Sequence, residues 1–371
     1  MNKYRLQKRQ QGLAIITVLL IVALMVTLLG FLAEQQHLVI RRIGNQNVAE
    51  KGYQYALGVN AWAQRVLQDD QNREVDYFDE DWAKFGKPTE VLSEGDNQFS
   101  LTPNSQEDEE ELPTINFGDE ATLEFEIIDL QSRYNLNNIA NVNPKIQAEQ
   151  GIIFRNLLAL VGFDEENTRQ ELYSALRDWL DENDEGSNES IDYKAKDVPY
   201  HASDQKLVSF AELRFIEGFT PEIINRLKPF VTVLPIDYAK LNINSVSAEV
   251  LSTLNTTPVF DTGTVDAFLA IRLDDAFLGF QPNSIEDAKT AIIGVNPLGS
   301  PIVENMMQTH SNFFQVNTQV IIGDFRFCMQ TLMLRENASE DSQTTPKVQV
   351  VSRQSDSYTL CEDENSNTVL Q

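Results

Sequence analysis

Hydrophobic positions follow three regimes along the chain. The first is a run without charged residues from Leu13 to Ala33, preceded by Gly12 and by the basic residues Lys3, Arg5, Lys8 and Arg9. As a helix rising about 1.5 Å per residue, this run spans about 30 Å, one bilayer core. A secretory signal has a shorter apolar region, roughly 7–15 residues, and a small-x-small cleavage site. The run fits neither feature. Basic residues ahead of it place the N-terminus in the cytoplasm and the bulk of the chain outside, with Arg41 and Arg42 opposing weakly from the far side.

The second regime extends from Glu34 to about Leu67. Leu38, Ile43, Val48, Tyr55, Val59, Trp62 and Val66 recur at helical spacing among charged and amide residues. The pattern predicts one long helix, apolar all round at its start and amphipathic later.

The third regime mixes strands and helices. A mixed segment, 69–118, contains five consecutive acids, Glu107 to Glu111, which read as a solvated loop. "ATLEFEIIDL" (Ala121–Leu130) then alternates, with Leu123, Phe125 and Ile127 on one face and Glu124 and Glu126 on the other, as a half-buried strand does. Late in the chain, "NFFQVNTQVII" and "DFRFCMQTLML" flank Gly323-Asp324, a pair suited to a tight hairpin turn, with Phe325, Phe327, Met329 and Thr331 on one face. "KVQVVSR" is a further strand candidate, and a polar loop is expected over 336–345. About 170 residues between the early and late strands carry mainly helical patterns. Among them, Ser209 and Glu212 form a capping-box pair, and Thr220 caps a helix with Pro221 at its first position. The layout is strand, helical insertion, strands, with a sheet completed by both ends of the chain.

Charge narrows the function. Across 371 residues, 29 Lys and Arg oppose 56 Asp and Glu, a formal net charge of −27. Such a surface repels phosphate backbones and anionic lipid, because nucleic-acid affinity comes largely from Lys and Arg. It suits hard cations such as Ca²⁺, which take carboxylate oxygens. His37, His201 and His310 are far apart in sequence and read as ordinary side chains rather than metal ligands. The chain has no Gly-rich phosphate loop, GxSxG or HExxH, so no enzyme is expected.

The N-terminal order of basic peptide, glycine, apolar helix and amphipathic continuation resembles a type IV pilin-like leader. That class is cut after the glycine on the cytoplasmic side by a prepilin peptidase, here between Gly12 and Leu13, with N-methylation of Leu13. The usual glutamate at the fifth mature position is Thr17 in this chain. Four internal stretches sharpen the resemblance: "IIDLQSRYNLNNI" (127–139), "LRDWLDENDE" (176–185), "FAELRFIEGF" (210–219) and "KLNINSVSAEVL" (240–251). With "SNFFQV" (311–316), their order resembles the GspK family, the K minor pseudopilins of type II secretion systems.

The resemblance implies an α+β, pilin-like fold, a long N-terminal helix packed on an antiparallel sheet with a large inserted α-helical domain. The expected parts are a leader (1–12), a transmembrane helix (13–33), a first pilin-like part (34–135), the insertion (136–310) and C-terminal strands (311–371). It implies a single-pass inner-membrane protein, periplasmic in bulk. Its role would be to cap the pseudopilus tip with the I and J minor pseudopilins, above major pseudopilin subunits. It also implies a calcium-binding loop after the tryptophan helix, carrying Asp181, Asp184 and Glu189 over as ligands, with Asp192 and Asp204 as further candidates. The local pattern departs from the EF-hand consensus, ending on Asp192 where that loop ends on Glu, and a solvated acidic loop is the alternative. Cys328 and Cys361 would close one loop in an oxidising compartment and be free thiols in the cytosol. Two other functions compete: a type IV pilus minor pilin, and a membrane-anchored helix-hairpin-helix DNA-binding protein built on "KLNINSVSAEVLSTL". Asp261, Asp266, Asp274 and Asp275 against Lys240 and Arg272 make the latter a poor phosphate site.

Overall fold

The computed structural model describes residues 7–70, 72–84, 114–116, 121–181, 193–194, 199–254, 270–272, 278–281, 306–336 and 347–356. Helix α1 runs unbroken from Gln7 to Asp69. Its 63 residues correspond to about 95 Å of helix. Among the described residues it is the helix long and apolar enough to cross a membrane. Its two halves meet different surroundings. Side chains from Ile15 through Ile43 are exposed. Farther along, Ala56, Val59, Ala63 and Leu67 are buried at three- and four-residue steps, one face of a helix. Leu38 and Ile43 were expected on that covered stripe, but both are exposed, and none of the described residues covers them.

The buried face of α1 lies on a five-stranded antiparallel sheet. In chain order the strands are β1 (Thr114–Asn116), β2 (Thr122–Asp129), β7 (Phe313–Ile322), β8 (Phe325–Arg335) and β9 (Val348–Asp356), adjacent in that order. Alternation carries through: Leu123, Phe125 and Ile127 of β2 and Phe327, Met329 and Met333 of β8 all enter one core with α1 and Trp82. Trp82 belongs to a short helix, α2 (Asp81–Lys84). Asn60 on α1 donates from Nδ2 to Thr331 Oγ1 (2.8 Å), linking the helix to β8 inside that core. Gly323 turns the β7–β8 hairpin with φ +58, the left-handed region where glycine avoids a Cβ clash. The early strand and the late hairpin thus pair as expected, and β1, α2 and the small sheets below are additions that the pattern did not predict.

Strand β2 runs against β7, with Asp129 opposite Phe314. The chain between them therefore leaves and re-enters the sheet at one end. It contains α3 (Pro144–Leu160), α4 (Glu166–Leu180), α5 (Pro221–Leu227) and α6 (Ala248–Ser252). Two short parallel pairs join it: β3 (Tyr134–Asn135) with β4 (Val231–Thr232), and β5 (Leu241–Asn242) with β6 (Met307–Gln308). A second apolar core fills this part, including Phe154, Leu176, Trp179, Tyr193 and Leu213. The capping box at Ser209 and Glu212 is present, but the helix it opens is a short 3₁₀ helix, Phe210–Phe215, ended before Gly218 at φ +84. Thr220 caps α5, as its sequence indicated.

Helices α3 and α4 touch through Gly151, where an added Cβ would lie 2.6 Å from the Tyr173 ring. Replacing Gly151 with Val is expected to cost about 1–3 kcal/mol, the usual penalty for overpacking a core. Urea unfolding of the full chain in detergent measures it; an unchanged midpoint would show that α3 and α4 can separate freely.

Candidate functional site: a buried ionic junction

Strand alternation places Arg335 on the same inward face as Phe327, Met329, Thr331 and Met333. A guanidinium there, 2% exposed, needs anionic partners, because an unpaired buried charge is strongly unfavourable. They come from the segment after α1. Arg335 Nη1 donates to Asp70 Oδ2 at 2.7 Å, and Nη2 donates to Asp76 Oδ2 and to the Ser311 carbonyl at 2.8 Å. The guanidinium also stacks over Phe314, 4.9 Å from the ring centroid. Asp76 is itself fully buried and accepts a bond from Ser311 N (2.6 Å) on the same Oδ2.

A second buried carboxylate, Asp129, sits where β2 gives way to the insertion. Its oxygens accept bonds from Gln131 N (2.8 Å), Ser311 Oγ (2.7 Å), Asn242 Nδ2 (3.1 Å) and Ser245 Oγ. The Asn242 amide also donates to Ser311 Oγ and to the Asp76 carbonyl. Asn244 donates to the Thr309 carbonyl, which in turn accepts from Asp76 N (2.9 Å). Five stretches distant in sequence, around Asp70–Glu80, Asp129–Gln131, Asn242–Ser245, Thr309–Asn312 and Arg335, share one network.

The asparagines of "YNLNNI" extend it into the insertion. An asparagine side chain carries a donor and an acceptor, as a peptide unit does. Asn137 accepts from Leu207 N (2.9 Å) while donating to the carbonyls of Leu207 and Leu234 (both 2.9 Å). Asn138 exchanges both bonds with Ala239 (2.8 and 2.9 Å), and Asn135 accepts from Leu234 N (2.9 Å). These amides replace missing sheet partners for buried backbone, which must be satisfied.

The charge of the junction is unbalanced. Asp70, Asp76 and Glu80 bring one carboxylate oxygen each to within 4.8 Å of one another. Burial, outweighing the Arg335 charge and hydrogen bond, raises Asp76 to about 6. Burial and the neighbouring Asp76 charge raise Glu80 to about 8, despite its bond from Trp82 Nε1 at 2.7 Å. Burial raises Asp129 as well, against four donors.

The residues singled out by sequence lie elsewhere. Gly12 and Leu13 fall inside α1, and Thr17 is exposed on it. Asp181 is the C-terminal cap of α4, its N–H donating to the Arg177 carbonyl. Asp204 adopts a left-handed backbone, φ +49. Asp184, Glu189 and Asp192 lie outside the described residues, as does Cys361, while Cys328 is buried in β8. Among the described residues, the acidic group near enough to share one ion is Asp70, Asp76 and Glu80. Sequence reasoning missed that group, and it missed Arg335. The available signal was Arg335 itself, an inward position of an alternating strand filled by a cation.

A family model described as type II secretion system (T2SS), protein K, matches residues 132–236. The chain is 30% identical over 341 residues to the type II secretion system protein K of Pseudomonas aeruginosa, covering 89% of this chain and 90% of that protein. It is 25% identical over 366 residues to the protein of the same name from Pectobacterium carotovorum subsp. carotovorum, covering 95% and 98%. Its fold matches a chain in the crystal structure of the GspK-GspI-GspJ complex from the enterotoxigenic Escherichia coli type 2 secretion system. The TM-score is 0.65 at 16% identity, over 85% of this chain and 99% of that one.

Replacing Arg335 with Leu strands Asp76 in the interior, and a loss of about 3–5 kcal/mol is expected, read from denaturant melts. The carboxyl shifts also set a pH dependence. A raised carboxyl holds a proton in the folded state that the unfolded chain releases, so stability falls as pH rises. In chelator, the loss should run from about pH 4 to about pH 6 for Asp76 and on to about pH 8 for Glu80. Melting temperature against pH should flatten in Glu80→Gln over the upper part of that window; an unchanged slope would assign it to other groups.

Proposed function

The chain belongs to the family of type II secretion system protein K, the minor pseudopilins of that machine, and we propose that it caps the tip of the pseudopilus and helps start its assembly. The observation that carries this reading is the bare apolar surface of α1. Exposed apolar side chains run from Ile15 through Ile43, beyond the roughly 30 Å that a bilayer core covers. The inner part suits lipid, with the N-terminus cytoplasmic and the sheet and insertion periplasmic. The outer part, Leu38 to Ile43, suits helices of neighbouring subunits.

Those neighbours are the I and J minor pseudopilins, in a complex like the GspK-GspI-GspJ complex of the structural neighbour, and the major pseudopilin beneath. A prepilin peptidase cuts between Gly12 and Leu13 and Leu13 is N-methylated, leaving the helix in place. The protein acts by assembly and is not an enzyme. Thr17 supports the topmost position. In a pilin-like filament the fifth-position glutamate of an incoming subunit neutralises the terminal ammonium of the one above it, and a bare charge in a bilayer costs on the order of a few kcal/mol. A subunit with nothing above it has no ammonium to meet. Calcium held by Asp181, Asp184 and Glu189, with Asp192 and Asp204 as further candidates, orders the loop after α4, and a Cys328–Cys361 bridge ties β8 to the C-terminal tail.

Detergent-solubilised full chain should co-purify with the I and J pseudopilins at micromolar concentration; absence of association removes the tip role. Thr17→Glu should leave tip formation largely intact, and complete loss of assembly would count against a topmost subunit. Calcium at 100 times its dissociation constant should raise stability by about 2.7 kcal/mol over chelator, and Asp181→Asn should abolish the part due to the loop.

A further inference from the structure

One carboxylate oxygen in the junction has no partner. Arg335 and Ser311 N both engage Oδ2 of Asp76, while its Oδ1 is buried and accepts no hydrogen bond. Burying an acceptor in this way is costly. Asp70 and Glu80 each bring an oxygen to within 4.8 Å of Asp76 and of each other. Calcium binds oxygens at about 2.3–2.6 Å, so ligands on opposite sides of one ion lie about 5 Å apart. Charge agrees with that spacing. With all three ionised, the carboxylates exceed the single guanidinium of Arg335 by two negative charges, which one divalent ion neutralises. Magnesium requires a tighter octahedral shell at about 2.0–2.1 Å, which this spread suits less well.

We propose that Asp70, Asp76 and Glu80 form a calcium site at the end of α1, separate from the acidic loop after α4. Arg335 is its positioning residue: it holds one oxygen of Asp70 and one of Asp76, which orients both carboxylates. The bound ion closes the segment after α1 on itself, and Arg335 ties that segment to the end of β8.

Trp82 supplies a local reporter, since its indole N–H donates to Glu80. Terbium, titrated into the full chain in detergent, should give tryptophan-sensitised emission that Ca²⁺ displaces. Trp82→Phe should dim that emission while leaving calcium stoichiometry unchanged. Glu80→Gln, isosteric at a half-buried position, should weaken calcium binding there at least about tenfold, the lower end of what losing an outer-shell partner costs, and remove one ion per chain. Asp181→Asn, aimed at the loop, should leave the Trp82-dependent signal in place. The proposal is overturned if the unmutated chain gives no calcium-displaceable emission, if Trp82→Phe leaves the emission unchanged, or if Glu80→Gln binds calcium as before. An Asp181→Asn variant without effect would count against the loop alone.

Discussion

The buried guanidinium of Arg335 sets the terms for the rest of the fold. A cation this deep is tolerable only when its donors are met by acceptors already in place. Asp70, Asp76 and the Ser311 carbonyl meet them. They come from the chain just past the long helix and from the residues leading into β7. None of them can move without stranding charge, so helix end, strand end and insertion root keep one relative arrangement. Asp129 repeats the device on the other side of Ser311, which donates to both carboxylates through its N–H and its hydroxyl.

This placement has a mechanical consequence for a subunit anchored by one helix. In the proposed assembly the bare half of α1 meets lipid and neighbouring helices, whereas its far half is packed on β7 and β8 through Ala56, Val59, Ala63 and Leu67. A force applied to α1 passes into β7 and β8 through that apolar face, and the Asp70–Glu80 segment at the helix end adds a second path through Arg335. That path crosses the ionic junction, where strength comes from buried charge pairs rather than apolar area. The strongly acidic composition then has two separate roles. Outside, it repels phosphate backbones. Inside, an excess of carboxylates over guanidinium makes a place for protons or a hard cation.

Within the insertion, polar side chains substitute for regular sheet. The segments at Leu207, Leu234 and Ala239 have few strand partners, and the amides of Asn135, Asn137 and Asn138 supply the missing bonds. This explains why an asparagine-rich stretch recurs in a buried turn, where such residues would otherwise be expected at the surface. The resemblance noted at "IIDLQSRYNLNNI", "KLNINS" and "SNFFQV" turns out to trace this network, with Asp129, Asn242, Ser245 and Ser311 at its centre.

Local periodicity was enough for the elements: the uncharged run and its helical continuation, the alternating β2, the hairpin at Gly323, the caps at Ser209 and Thr220. Each depends on residues a few positions apart, so short-range pattern encodes it. The length of the capping-box helix was not legible: the backbone turns extended at Ile216, ahead of the left-handed Gly218. Nor was the exposure of Leu38 and Ile43, since apolar spacing records that a face needs covering without recording by which chain. The junction was half legible. Asn242, Asn244 and Ser245 stood inside quoted motifs, and an inward Arg335 demanded a carboxylate. Which of 56 acidic residues would answer it was decided only in three dimensions. The partners Asp70 and Asp76 lie about 260 residues away, and only the packing of α1 on the sheet, which sets its end beside the end of β8, brings them within reach.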